Sequence, residues 1–235
     1  MGQPFEIRRE VDLDAPPEQV WPAIATGDGL TAWFMPMELD SQSPGVTNWE
    51  PGRRLGIRTP PADDGSFQMF DYRLEPAGAG RTVLRFAHSG FAGDGWGDDF
   101  EAQTAAGWDM YLHTLARYLT RFPDHPALYL EAEAPPSSAD PAAWPRLVGA
   151  LGLGEPVAPG APVRLDLPGV GPVQGTVDYA APTFIGVEAP LALIRFHGRS
   201  GMGQPVAVSQ HTYVATFDLG SAKRGWEAWL AGVFG

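Results

Sequence analysis

Residues 107–119, GWDMYLHTLARYL, place Trp108, Leu112, Leu115 and Leu119 at intervals of four, three and four, which lays one apolar stripe along a helix. Such a stripe needs a cover, and the chain before it supplies strand-like segments: RRLGIRT, SFQMFDYRLE and RTVLRFAHS, the last two joined by the glycine-rich turn PAGAG. Alternation in these segments suits an antiparallel sheet with one covered face. The chain opens with FEIRREVDL, where Phe5, Ile7, Val11 and Leu13 share one parity and Arg9 interrupts it. DAPPEQVWPAIAT then reads as a helix capped by Asp14 and kept short or bent by Pro22, and GDGLTAWF as a second short helix. MPMELD reads as a further strand. The expected class is α+β, with a curved antiparallel sheet wrapped around a long C-terminal helix.

The same order recurs. After FPDHP, whose two prolines end the helical stretch, ALYLEAEA, DPAAWPRLVGAL, PVRLDL, VQGTVDYA, TFIGVE, ALIRFH and PVAVSQHTYVATF lead to a terminal helix SAKRGWEAWLAGVF. One constant shift aligns Trp21-Pro22 with Trp144-Pro145, Gly29-Leu30 with Gly152-Leu153, Gly78 and Gly80 with Gly201 and Gly203, and His88 with His211. After a short deletion, Gly107-Trp108 meets Gly225-Trp226. The expected organisation is therefore a tandem duplication, residues 1–125 and a degenerate copy over 126–235.

Three stretches of the first half carry a resemblance: APPEQVWPAIATGDGLTAWF (15–34), GRTVLRFAHSGF (80–91) and GWDMYLHTLARYL (107–119). In that order they resemble the opening element, the histidine-bearing strand and the closing helix of the activator-of-heat-shock-protein-ATPase (AHSA-like) branch of the START-like helix-grip superfamily, SRPBCC. The resemblance implies a sheet gripping the closing helix, with a hydrophobic cavity between them. The second half resembles the family less, and its GLGEPVAPG lacks the Trp-Phe of the second short helix.

Composition narrows the function. The chain has 16 basic and 28 acidic residues, no cysteine and only one lysine, Lys223, so there is no basic patch for a phosphate backbone and no thiolate chemistry. No apolar run reaches membrane-spanning length, and MGQPFEIRRE shows no signal segment, so no membrane association and a cytoplasmic location are expected. The five histidines show no zinc spacing, and no cofactor or metal is expected. The acidic run with Asp94, Asp98, Asp99 and Glu101 reads as a solvated loop. Asp109, His113 and Arg117 share a helix face opposite the apolar stripe and read as an exposed ion-pair ladder.

His88 shares its strand face with Phe86. It is either a hydrogen-bonded structural histidine or a group that orients a ligand. With Trp33, Phe34, Phe70, Tyr72, Phe86, Trp108 and Leu112 it forms the candidate ligand-binding set, which plain core packing would equally explain. His88, Asp71 and Arg85 are the only acid–base candidates, and no spacing brings two of them together. The expected function is therefore non-catalytic binding of a hydrophobic small molecule. The alternatives are a co-chaperone-like module whose acidic first half meets a protein partner with a basic surface, and a cyclase- or hydrolase-type enzyme. The sequence shows no seam for self-association.

Overall fold

The opening alternation becomes strand β1 (Gln3–Leu13) in a computed structural model that describes residues 3–93 and 100–235. Two units divide the chain, Met1–Asp124 and His125–Gly235. In the first, β1 is followed by α1 (Pro17–Ala25), α2 (Gly27–Thr31), β2 (Val46–Glu50), β3 (Arg54–Arg58), β4 (Phe67–Pro76), β5 (Thr82–Ala92) and α3 (Phe100–Arg121). The strands form one antiparallel sheet in the order β1-β5-β4-β3-β2, and α3 packs against it. This is the α+β, helix-grip arrangement: Phe5, Ile7, Leu84, Phe86, Tyr72 and Leu74 line the sheet's inner face, and Trp108, Leu112, Leu115 and Leu119 are the buried stripe of α3.

Local chemistry explains where the elements depart from the sequence reading. Residues 35–40 form no strand; Pro36 has no N–H to give a ladder, and Met35 and Met37 are exposed. The strand in this region is β2 instead, a short edge strand whose register shifts between Val46 and Asn48, which hides its alternation. The residue at the N-cap of α1 is Pro16 rather than Asp14, and its backbone carbonyl accepts from Gln19 and Val20. Arg9, the break in the β1 pattern, keeps its inward parity and forks onto Asp109 of α3, Nε to Oδ1 and Nη2 to Oδ2. Asp109 thus clamps helix to sheet rather than belonging to an exposed ladder along α3.

The second unit runs β6 (Leu128–Glu133), α4 (Ala143–Ala150), β7 (Pro162–Leu167), β8 (Gly171–Ala181), β9 (Phe184–Ala189), β10 (Ala192–His197), β11 (Ala207–Thr212) and α5 (Leu219–Phe234). Its antiparallel order is β6-β11-β10-β9-β8-β7. That is the order of the first sheet, first strand beside last, with one more strand at the far edge. Its core gathers Leu130, Ile194, Phe196 and Val208 of the sheet with Trp226 and Leu230 of the closing helix. The two units repeat one topology, as a duplicated helix-grip chain would.

The structural match differs from the sequence match by one residue. Trp226 of α5 donates from Nε1 to Gln210 Oε1 at 2.8 Å, so Gln210 occupies the core-facing position that His88 holds in the first unit. His211 follows it and takes the opposite face, because strand side chains alternate with a period of two.

The first unit's two short helices meet at Gly29, whose added Cβ would lie 2.0 Å from the Pro22 carbonyl oxygen and 2.7 Å from Ala23 Cα. Both contacts are backbone, so nothing flexible can give way. Gly29→Ala should cost about 1–3 kcal/mol of stability, read as a lowered urea midpoint; an unchanged midpoint would mean that α1 and α2 do not meet at this distance.

Candidate functional site

Position 108 of α3 brings the indole over β4 and β5, where the inner-face residues Phe70, Tyr72, Phe86 and His88 stand in register: Phe70 opposite His88, Tyr72 opposite Phe86. The rings gather around Trp108. Phe86 lies 4.3 Å from it between centroids, Phe70 5.9 Å and His88 5.8 Å, and Phe34 stacks on it at 5.3 Å and 17°. Phe70 in turn stacks on His88 at 4.5 Å, and Tyr72 packs on Phe86 at 4.9 Å. Trp33 sits behind Phe34 at 5.6 Å and is tied to α1 by its N–H, which donates to the Ala23 carbonyl at 2.9 Å. Leu112 is buried one turn beyond Trp108.

The sequence-derived residues therefore converge, with Trp33 and Leu112 as a supporting layer. Three further members were not singled out. Tyr111 meets Phe34 edge-on at 4.8 Å, Phe5 meets His88 edge-on at 5.0 Å, and Gln68 hydrogen-bonds His88. Phe5 and Gln68 share the inner-face parity of their strands, a legible signal; the pairing across strands that brings them to His88 is not written in the sequence. The cluster is graded in depth. Trp108, Phe86 and His88 are buried, whereas Phe34, Phe70, Tyr111 and Gln68 are half-buried and form its rim.

The polar atoms form one directed chain. Trp108 Nε1–H donates to His88 Nδ1 at 2.8 Å. An indole N–H can only donate, so Nδ1 must be the bare nitrogen and Nε2 must carry the proton. His88 Nε2 then donates to Gln68 Oε1 at 3.0 Å. Burial lowers His88 from the usual 6.5 to about 4, which keeps the ring neutral at physiological pH.

The other acid–base candidates are elsewhere. Asp71 and Arg85 alternate with Tyr72 and Phe86 and so occupy the sheet's outer face. Burial pushes the Asp71 carboxyl up, but its bonds with Arg54 and Arg73 outweigh that and hold it below the ordinary carboxylate range. Arg85 pairs with Glu10 and Glu75. An open hollow of about 530 Å³ lies on this outer face, lined by Glu6, Arg8, Arg54, Asp71 and Arg73 together with the apolar Ile57 and Met69. Among the described residues no three His, Asp or Glu side chains gather as metal ligands, and no helix is long and apolar enough to cross a membrane. Asp94, Asp98 and Asp99 of the acidic run lie outside the described residues.

No family model matches the chain, and no curated protein matches it. Solved structures similar to it include protein MLL2253 from Mesorhizobium loti, 20% identical over 50% of this chain and 98% of that one, with a TM-score of 0.43. The Aha1 dimer from Colwellia psychrerythraea is 22% identical over 49% of this chain and 96% of that one, with a TM-score of 0.39. DynU16, a protein from the dynemicin biosynthetic locus, is 19% identical over 97% of this chain and 95% of that one, with a TM-score of 0.39. These likenesses, all at low identity, are likenesses of fold.

The His88 geometry has a measurable consequence. The unfolded chain takes up the imidazole proton near 6.5 and the folded chain only near 4, so stability falls as pH drops through that window. His88→Leu should strand the indole N–H and cost about 1–3 kcal/mol. His88→Gln, which copies the arrangement of Gln210 and Trp226, should cost less. Both should flatten the pH dependence of the urea midpoint between 6.5 and 4; equal costs, or an unchanged slope, would contradict the assignment.

Proposed function

We propose that the first unit binds a small, largely apolar molecule at the rim of the aromatic cluster, and that it does so without catalysing a reaction. The observation that carries this reading is the half-buried set Phe34, Phe70 and Tyr111 around the buried Trp108–His88 pair. Rings that serve only as core are ordinarily closed over; here three aromatic faces remain partly open beside a polar group of fixed tautomer, the composition of a ligand site. The absence of a reaction is supported by the disposition of the acid–base candidates. Both His88 nitrogens are engaged, and Asp71 and Arg85 lie on the other face of the sheet in ion pairs of their own.

The partner reading finds less support. On the outer face Glu6, Glu10, Asp71 and Glu75 each pair with an arginine, so this face of the sheet offers a basic partner a locally balanced surface rather than a run of free carboxylates.

Titration with 1-aminoanthracene, an uncharged fluorescent probe, tests the proposal. Saturable binding is expected in the wild-type protein, with affinity reduced about tenfold or more by Phe34→Ala or Phe70→Ala, since each removes a large apolar face. Absence of saturable binding, or binding indifferent to both substitutions, would overturn it.

A further inference from the structure

The direction of the hydrogen-bond chain determines what the rim can offer. It begins at an atom that can only donate, Trp108 Nε1, and passes through His88 to Gln68 Oε1. Every assignment along it is forced by the one before: Nδ1 accepts, Nε2–H donates, and so the carbonyl end of the Gln68 amide must face the ring. The amide end of Gln68 is then turned away from His88. Among the described residues Gln68 Nε2 has no hydrogen-bond partner, although the residue is half-buried.

The surroundings hold that amide in place. The Gln68 backbone is clamped on Thr59: its N–H donates to Thr59 Oγ1 at 2.9 Å, and its carbonyl accepts from Thr59 N–H at 2.9 Å. Across the ladder Gln68 faces Gly90, which has inner-face parity but no side chain. A Cβ there would lie 2.1 Å from the Phe67 carbonyl oxygen, so the position stays empty and Gln68 can lean diagonally onto His88. Two residues along the same face stands Phe70, one of the rim rings.

We infer that the first unit selects apolar ligands carrying an exposed acceptor oxygen, a ketone, quinone or similar carbonyl, which the Gln68 amide N–H grips while the rim rings hold the apolar body. The inference rests on the binding reading above and deepens it. A ligand offering only hydrogens to donate would meet a donor and gain nothing, because the relay cannot reverse while the indole feeds it. His88 and Trp108 act here as positioning residues; the contact itself belongs to Gln68.

The matched pair 9-fluorenone and fluorene, alike in shape and differing in the carbonyl, provides the test. The wild-type protein should bind fluorenone roughly two- to tenfold more tightly, the ratio that one neutral hydrogen bond supplies. In Gln68→Leu that ratio should fall to about one. In the wild-type protein, by NMR, fluorenone should shift the side-chain amide protons of Gln68 more than fluorene does, a readout that needs no variant to fold. Equal affinity for the two compounds, a preference that survives Gln68→Leu, or equal amide shifts would overturn the inference while leaving apolar binding intact. If neither compound nor 1-aminoanthracene binds, the binding reading itself falls, and this inference with it.

Discussion

An indole N–H shut inside an apolar interior must find an acceptor, and the first unit is arranged around meeting that requirement. Without a partner, the Trp108 N–H would cost on the order of 1–3 kcal/mol. The ring is buried because α3 closes over the sheet, so the acceptor must come from the sheet's inner face, and His88 provides it at 2.8 Å. The rest follows from that bond. His88 must be neutral and protonated at Nε2, Gln68 must present its carbonyl to it, and Gly90 must leave room for Gln68 to do so. Arg9 and Asp109, one position along α3 from Trp108, pin the helix to β1 and so fix where the indole lies.

The second unit meets the same requirement differently. Trp226 of α5 donates to Gln210, whose own amide donates to Thr212 Oγ1 at 2.8 Å, so once the chain reaches β11 it stays within that strand. Gln210 cannot titrate, and its amide group is already occupied. The first unit's chain runs outward, across strands, to a half-buried residue. Two copies of one topology thus share a buried tryptophan and differ in whether its hydrogen-bond chain reaches a rim.

Much of this was legible in the chain. The stripe of α3, the parity of Phe86 and His88, and the repeated order of elements are local periodicities, and local periodicity is what a sequence displays directly. What could not be read depends on register. Gln68 reaches His88 only because β4 and β5 pair Gln68 with Gly90, and Arg9 looks like a flaw in β1 until Asp109 is brought from a hundred residues away. The one-residue difference between His211 and Gln210 has the same origin, since an ungapped match cannot see which face a strand residue takes. Strand β2 was hidden by its irregular register and short length.

The tautomer of His88 tests the account most directly. A long-range proton–nitrogen NMR spectrum of the imidazole rings, recorded from pH 7 down to pH 4, distinguishes the two neutral forms and follows the charged one. His88 should show the Nε2-protonated pattern and keep it until the pH approaches 4. An Nδ1-protonated ring, or one that takes up a proton near 6.5, would mean that the indole does not donate to it, and the directed chain through Gln68 would be lost.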